Sequence, residues 1–227
     1  MADQLDVSYQ EVASHLIVGS GSAVFVDPLA PSAPAEPAET FWRKLDDLVA
    51  PVRGSLAVVL TLHWHERSAA QFAARYAAPV YAPAGAASDI EHRPLETYVP
   101  KRTQPAGEAE EPERAAKAGA TRQAIRETVA ALPLGLEPFY VGRDFEAALW
   151  LPSHRALLFA DVILGTEQGL RMCPEDWVRK SAGGLEPVRQ QLRPLLELPI
   201  GKVLTAHGPP VLSGGQEALR RALRAGV

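Results

Sequence analysis

The sequence predicts an α/β fold. Three observations carry that expectation: two short β-branched runs around the turn Gly19-Ser20-Gly21-Ser22, a strand–helix–strand stretch between Leu56 and Ala82, and a strand meander between Glu137 and Ala160. At 227 residues the chain is long enough to bury a large core as one domain spanning 1–227. Hydrophobic residues make up 47% and charged residues 22%, the balance of a globular protein rather than a disordered one.

In the first part, His15-Leu16-Ile17-Val18 and Ala23-Val24-Phe25-Val26 read as a hairpin that ends at Asp27-Pro28, where proline removes a ladder donor. Pro31 to Pro37 reads as a loop. Thr40 then caps a helix through about Val49, with Phe41, Leu45, Leu48 and Val49 on one face. The apolar run Leu56–Thr61 has the composition of a strand covered on both faces and runs out into Leu62-His63-Trp64-His65-Glu66-Arg67-Ser68. Ser68 opens a helix over Ala69–Tyr76, and Val80-Tyr81-Ala82 is the next strand, completing a βαβ unit.

The stretch at about 83–132 is rich in Pro, Ala and Glu and reads as an insertion or lid, with a helix over Thr121–Leu132. Beyond it, strands over Glu137–Val141, Ala147–Leu151 and Ala156–Ala160 deliver Asp161 at a strand tip. A helix over about Leu185–Leu196 precedes a last strand, Lys202–Ala206, which ends at His207-Gly208.

Charge and cysteine content narrow the function. The net charge of −4 gives no electrostatic reason for nucleic acid or an anionic membrane as partner, leaving a small-molecule substrate or ligand. The absence of an N-terminal apolar run or a membrane-length segment makes the cytoplasm the expected location. With Cys173 as the one cysteine, a metal would have to be held by histidine and carboxylate. Such residues collect just past strand ends, where rigid strands aim them toward a ligand: His63 with His65, Asp161, and His207. The alternation of His63 and His65 allows both imidazoles to face one side, with Trp64 packing toward the core. Glu66 reads as a candidate base or an exposed ion-pair partner of Arg67, and Cys173 as a thiol over the pocket or a plain buried one.

The order of Val26-Asp27-Pro28, Thr61-Leu62-His63-Trp64-His65, Leu149-Trp150-Leu151-Pro152 through Phe159-Ala160-Asp161, and Leu204-Thr205-Ala206-His207-Gly208 resembles the metallo-β-lactamase-fold superfamily. The resemblance implies an αββα four-layer sandwich of two mixed sheets and a site for one or two metal ions. It matches His63 and His65 to the start of the family's H-x-H-x-D-H motif, Asp161 to its bridging acid and His207 to its last histidine. Arg67 and Ser68 stand where the family has Asp and His, and the stretch Phe139–Phe145 lacks the family's third histidine.

A guanidinium about 4 Å from a unit positive charge costs about 4 kcal/mol at an effective dielectric near 20, so Arg67 argues against a second metal. Two outcomes stay open. One divalent ion (zinc, iron or manganese) could be held by His63, His65, Asp161 and His207, with Asp161 and His65 catalytic, in a hydrolase of an ester, thioester, lactone or amide. Alternatively the pocket of Glu66, Arg67, Ser68 and Cys173 is metal-free and inactive, with Arg67 paired to Asp161 and binding a small anion or a partner.

Overall fold

The computed structural model describes residues 11–31, 35–92, 94–103 and 131–224. The first sheet has the order β1 (His15–Gly19), β2 (Ser22–Val26), β3 (Leu56–Val59), β4 (Val80–Pro83), β5 (Glu96–Tyr98). The β1–β2 hairpin is antiparallel and every later pairing is parallel, as the βαβ pattern requires. The second sheet has the order β11 (Lys202–Thr205), β8 (Ala156–Phe159), β7 (Ala147–Leu151), β6 (Glu137–Tyr140), antiparallel except for β11 beside β8. A small hairpin, β9 (Ile163–Thr166) with β10 (Gly169–Met172), follows Asp161.

Three apolar clusters define four layers. Leu149, Leu151 and Leu158 of the second sheet meet Val24, Val26 and Val59 of the first in a seam between the sheets. Helices α1 (Ala35–Val49) and α2 (Ala69–Tyr76) cover the outer face of the first sheet through Leu45, Val49, Phe72 and Ala73. Helices α3 (Glu175–Ala182), α4 (Leu185–Leu192) and α5 (Gly215–Arg224) cover the second through Val178, Val188, Leu192, Leu219 and Leu223. The α/β sandwich expected from the sequence is therefore the fold that forms. Among the described residues no helix is long and apolar enough to cross a membrane.

Several local expectations need correction. Helix α1 starts at Ala35, before Thr40, because the first turn of a helix tolerates Pro37, whose missing N–H has no partner there. Leu48 is exposed rather than part of the apolar face. Helix α4 stops at Leu192, and a 3₁₀ turn over Arg193–Glu197 follows, with Pro194 at its start. Within the stretch expected as an insertion, β5 adds an edge strand and buries Tyr98, whose hydroxyl donates to the Leu60 carbonyl at 2.7 Å. The helix expected over Thr121–Leu132 lies almost wholly outside the described residues.

The two sheets are also joined by main-chain bonds at one edge. Leu62 bridges Glu146, and the Ala147 N–H donates to the Thr61 carbonyl at 2.9 Å. The functional candidates gather at this edge.

Candidate functional site

The strand β3 ends before the histidines. Residues His63–His65 form a 3₁₀ turn, with the His65 N–H bonded to Leu62 O at 3.1 Å and the Glu66 N–H to His63 O at 3.0 Å. At about three residues per turn, side chains two apart splay instead of aligning. The strand alternation expected for His63 and His65 is thereby lost. His65 is buried and aims Nε2 at Asp161, while His63 packs edge-on to Trp64 and Phe145, with its Nδ1 buried and unbonded.

His65, Asp161 and His207 converge. One ligand atom of each lies within 4.8 Å of the others, and the structure does not bring His63 into that group. Asp161 Oδ1 is 3.2 Å from His65 Nε2 and 3.3 Å from His207 Nε2, and both Oδ1 and His65 Nε2 are buried without a hydrogen-bond partner. Buried polar groups are normally satisfied. Three ligand atoms gathered within 4.8 Å of one another, two of them buried without a partner, are what a cation would satisfy, and two imidazoles with a carboxylate form a suitable donor set. These residues fit a single metal ion.

Asp27, a strand-end residue in the sequence reading, proves to be part of the site. Its Oδ1 accepts the Thr61 N–H at 2.8 Å, and its Oδ2 accepts the Thr61 hydroxyl and lies 2.9 Å from His65 Nδ1. A carboxylate that already accepts both Thr61 donors accepts from the imidazole as well, so Nδ1 carries the proton and Nε2 of the neutral ring keeps its lone pair for the ligand position. Asp27 is held at a positive φ of 47° to do this, a conformation uncommon for a side chain-bearing residue. The hydroxyl of Ser68 supports the same corner by accepting the Ala30 N–H at 2.9 Å.

Ion pairing sets the charges. Burial lowers the pKa of His65, but the charge of Asp27 and the contacts with Asp161 and Asp27 outweigh it and raise the value to about 9. Burial opposes ionisation of Asp161. Its contacts with His207 and His65, together with the Trp64 indole N–H on Oδ2 at 2.8 Å, overcome that and hold the carboxyl well below the usual carboxylate range.

The remaining candidates take other places. Glu66 accepts the N–H groups of Glu91 and His92 at 3.0 and 2.7 Å, which makes it a loop tie rather than a base or a partner of Arg67. No ion pair joins Arg67 to Asp161. Its Nη1 is buried without a hydrogen-bond partner, and while burial pulls its pKa down, the charges of Asp27 and Asp161 oppose this. Cys173 sits in the core beside the second sheet, and burial pushes its thiol up to about 11. Iodoacetamide at pH 8 should therefore leave Cys173 largely unmodified in the folded protein and label it after denaturation, as intact mass would show.

Sequence reasoning missed two charged residues. Glu146 is fully buried; its Oε1 accepts the N–H groups of Asp161 and Val162 at 3.0 and 3.1 Å, and its Oε2 pairs with Arg143. Arg143 lies in the stretch that lacks the third histidine. Trp64, expected in the core, is instead 49% exposed and lines a cavity of about 390 Å³ together with Arg143, Asp161 and Trp177.

Comparison with solved structures gives the same architecture. The chain is similar to the DIM-1 metallo-beta-lactamase exposed to ceftazidime (14% identity, TM-score 0.54, covering 95% of this chain and 86% of that one). It is also similar to a metallo-beta-lactamase from Pontibacter korlensis (13%, 0.56, 94% and 87%) and to TTHA1623 in a di-iron-bound form (17%, 0.51, 90% and 91%). No family model matches the sequence, and no curated protein matches it significantly.

Proposed function

Since this chain has the metallo-β-lactamase fold, we propose that it holds one divalent metal ion through His65 Nε2, Asp161 Oδ1 and His207 Nε2, and that it hydrolyses an ester, thioester, lactone or amide. The observation that carries this reading is the convergence of those three atoms, two of them buried and unbonded. When bound, such an ion supplies Lewis acidity and lowers the pKa of water that it polarises. Three protein donors leave a coordination position open, the arrangement of catalytic rather than structural sites. Asp27 fixes the His65 tautomer, Trp64 orients Asp161 through Oδ2, and the cavity beside Asp161 receives a small-molecule substrate. Arg67 near the two carboxylates opposes a second ion. The cytoplasm is the compartment proposed, in keeping with a free, buried thiol.

The test is the metal content of purified protein with hydrolysis of a substrate panel. About one zinc, iron or manganese per chain is expected, lost in His65→Ala, with hydrolysis lost in parallel. Asp27→Asn should keep the ligands but weaken metal affinity about 10–100-fold, the usual effect of removing a partner that orients a ligating imidazole. A protein free of metal after expression in metal-supplemented medium, and unchanged in stability by chelator, sinks the proposal.

The raised pKa of His65 favours a second reading, in which the imidazolium itself sits between Asp27 and Asp161 and the pocket binds an anion without metal. The two separate by pH. In chelator, His65 has a folded pKa near 9 against about 6.5 unfolded. Its contribution to stability is therefore fully present below pH 6.5 and lost as pH rises to about 9. Metal must displace that proton, so metal affinity should rise over the same window, by up to about tenfold per pH unit, with proton release measurable by calorimetry in buffers of different ionisation enthalpy. Stability falling from pH 6.5 to 9 whether or not metal is added would select the second reading.

A further inference from the structure

The cavity contains a cation that the metal site does not use. Arg143 is 2% exposed, yet it lines the cavity beside Asp161. A guanidinium has five N–H donors. Here Nη2 pairs with Glu146, Nη1 donates to the Trp177 carbonyl at 3.3 Å, and Nε is buried with no partner. The opposing charge is committed elsewhere: Glu146 also serves the N–H groups of Asp161 and Val162, and Asp161 faces the two imidazoles and the Trp64 indole. The guanidinium is held in place by aromatic rings, 5.8 Å from the Trp64 centroid and 5.2 Å from that of Phe145. Large apolar side chains normally leave water, but the cavity walls present two indoles, Trp64 at 49% and Trp177 at 38% exposure. A cavity of about 390 Å³ with two indole walls and a few fixed polar groups, here Arg143 and Asp161, is the usual form of a small-molecule site.

We infer that this cavity is a subsite for a carboxylate carried on a flat apolar ring, with Arg143 taking the anion and Trp64 and Trp177 flanking the ring. A carboxylate suits the site better than a phosphate. The planar guanidinium matches two oxygens in one plane, and the second charge of a phosphate would face Asp161. The inference rests on the proposed reading of the cavity as the place where a small-molecule substrate enters, but not on the metal.

The probe is 2-naphthoate, titrated by calorimetry into the full chain in chelator, so that no ion can take the carboxylate. It should bind at least about tenfold more tightly than 2-naphthamide, which has the ring without the charge, than acetate, which has the charge without the ring, and than 2-naphthyl phosphate. Arg143→Gln alone would strand Glu146, so the variant used is Arg143→Gln with Glu146→Gln, which removes both charges together; it should lose about tenfold or more in 2-naphthoate affinity. Equal binding of naphthoate and naphthamide to the unaltered protein overturns the inference whether or not the double variant folds, and so does a folded double variant that binds as before. Phosphate binding as tight as carboxylate overturns the choice of anion. Metal analysis of the same preparation, expressed in metal-supplemented medium and assayed before chelator is added, keeps the two readings apart. A protein with one ion that ignores 2-naphthoate refutes the subsite alone, whereas a metal-free protein that binds it refutes the metallo-hydrolase reading alone.

Discussion

Glu146→Ala should destabilise the protein by about 3–5 kcal/mol, measured by urea unfolding. Both members of the Arg143–Glu146 pair are shut off from water, at 1% and 0% side-chain exposure. Removing the carboxylate leaves a guanidinium without its counter-charge in a medium that solvates it poorly. It also strands the N–H groups of Asp161 and Val162, which Glu146 Oε1 accepts. The two losses can be separated. A double variant, Arg143→Met with Glu146→Leu, removes the buried charge problem and should recover part of the stability. It leaves both amides unmatched, at about 1–3 kcal/mol each, so recovery falls short of the wild type. A single variant within about 1 kcal/mol of wild type would show that water reaches the pair and that Glu146 does not fix the Asp161 backbone.

Gly208→Ala should cost about 2–4 kcal/mol and abolish binding at the His65–Asp161–His207 cluster. Gly208 follows His207 at φ +73°, and a Cβ there would lie 2.1 Å from the Gly165 carbonyl oxygen. The contact is reciprocal, because a Cβ on Gly165 would lie 2.0 Å from the Pro209 carbonyl oxygen. The Gly165 N–H also bonds to the His207 carbonyl at 2.9 Å. Main chain cannot give way like a flexible side chain, so the loop carrying His207 must move off the β9–β10 hairpin. The cost combines strain at the positive φ with overpacking. Equilibrium dialysis with zinc, paired with thermal unfolding, reads both effects. A folded Gly208→Ala protein with unchanged metal affinity would contradict the requirement for this approach.

The architecture was legible where apolar runs were strong. The continuous apolar runs of β3, β7 and β8 form near their expected bounds, because burial on both faces leaves its mark on residue type. The hairpin β9–β10, helices α3 and α5 and the edge strand β5 left weaker signals. The three residues of β5 are too few to show a period.

At the site, Asp161 and His207 stood out because each closes a strand, whereas the direction of His63 depended on whether the chain past β3 stayed extended. It did not, and a 3₁₀ turn of three residues cannot be told from an irregular strand end in sequence. Arg143 and Glu146 were invisible for another reason: opposite charges three residues apart usually mark a solvated surface pair. Asp27 was in view as the residue before a proline. Its positive φ and its hold on Thr61 and His65 arise only when β2, β3 and the histidine turn are brought together.

The main-chain stitch between Thr61 and Ala147, with the Leu62–Glu146 bridge, makes the site a joint between distant parts of the chain. Asp27 and His65 come from the part of the chain that carries β1–β5, and Glu146, Asp161 and His207 from the part that carries β6–β11. Neither segment holds a complete donor set, so nothing resembling the site can preform in a half-folded chain. An ion or ligand bound there would act as a clasp across the seam, and its affinity would add directly to the cohesion of the two sheets.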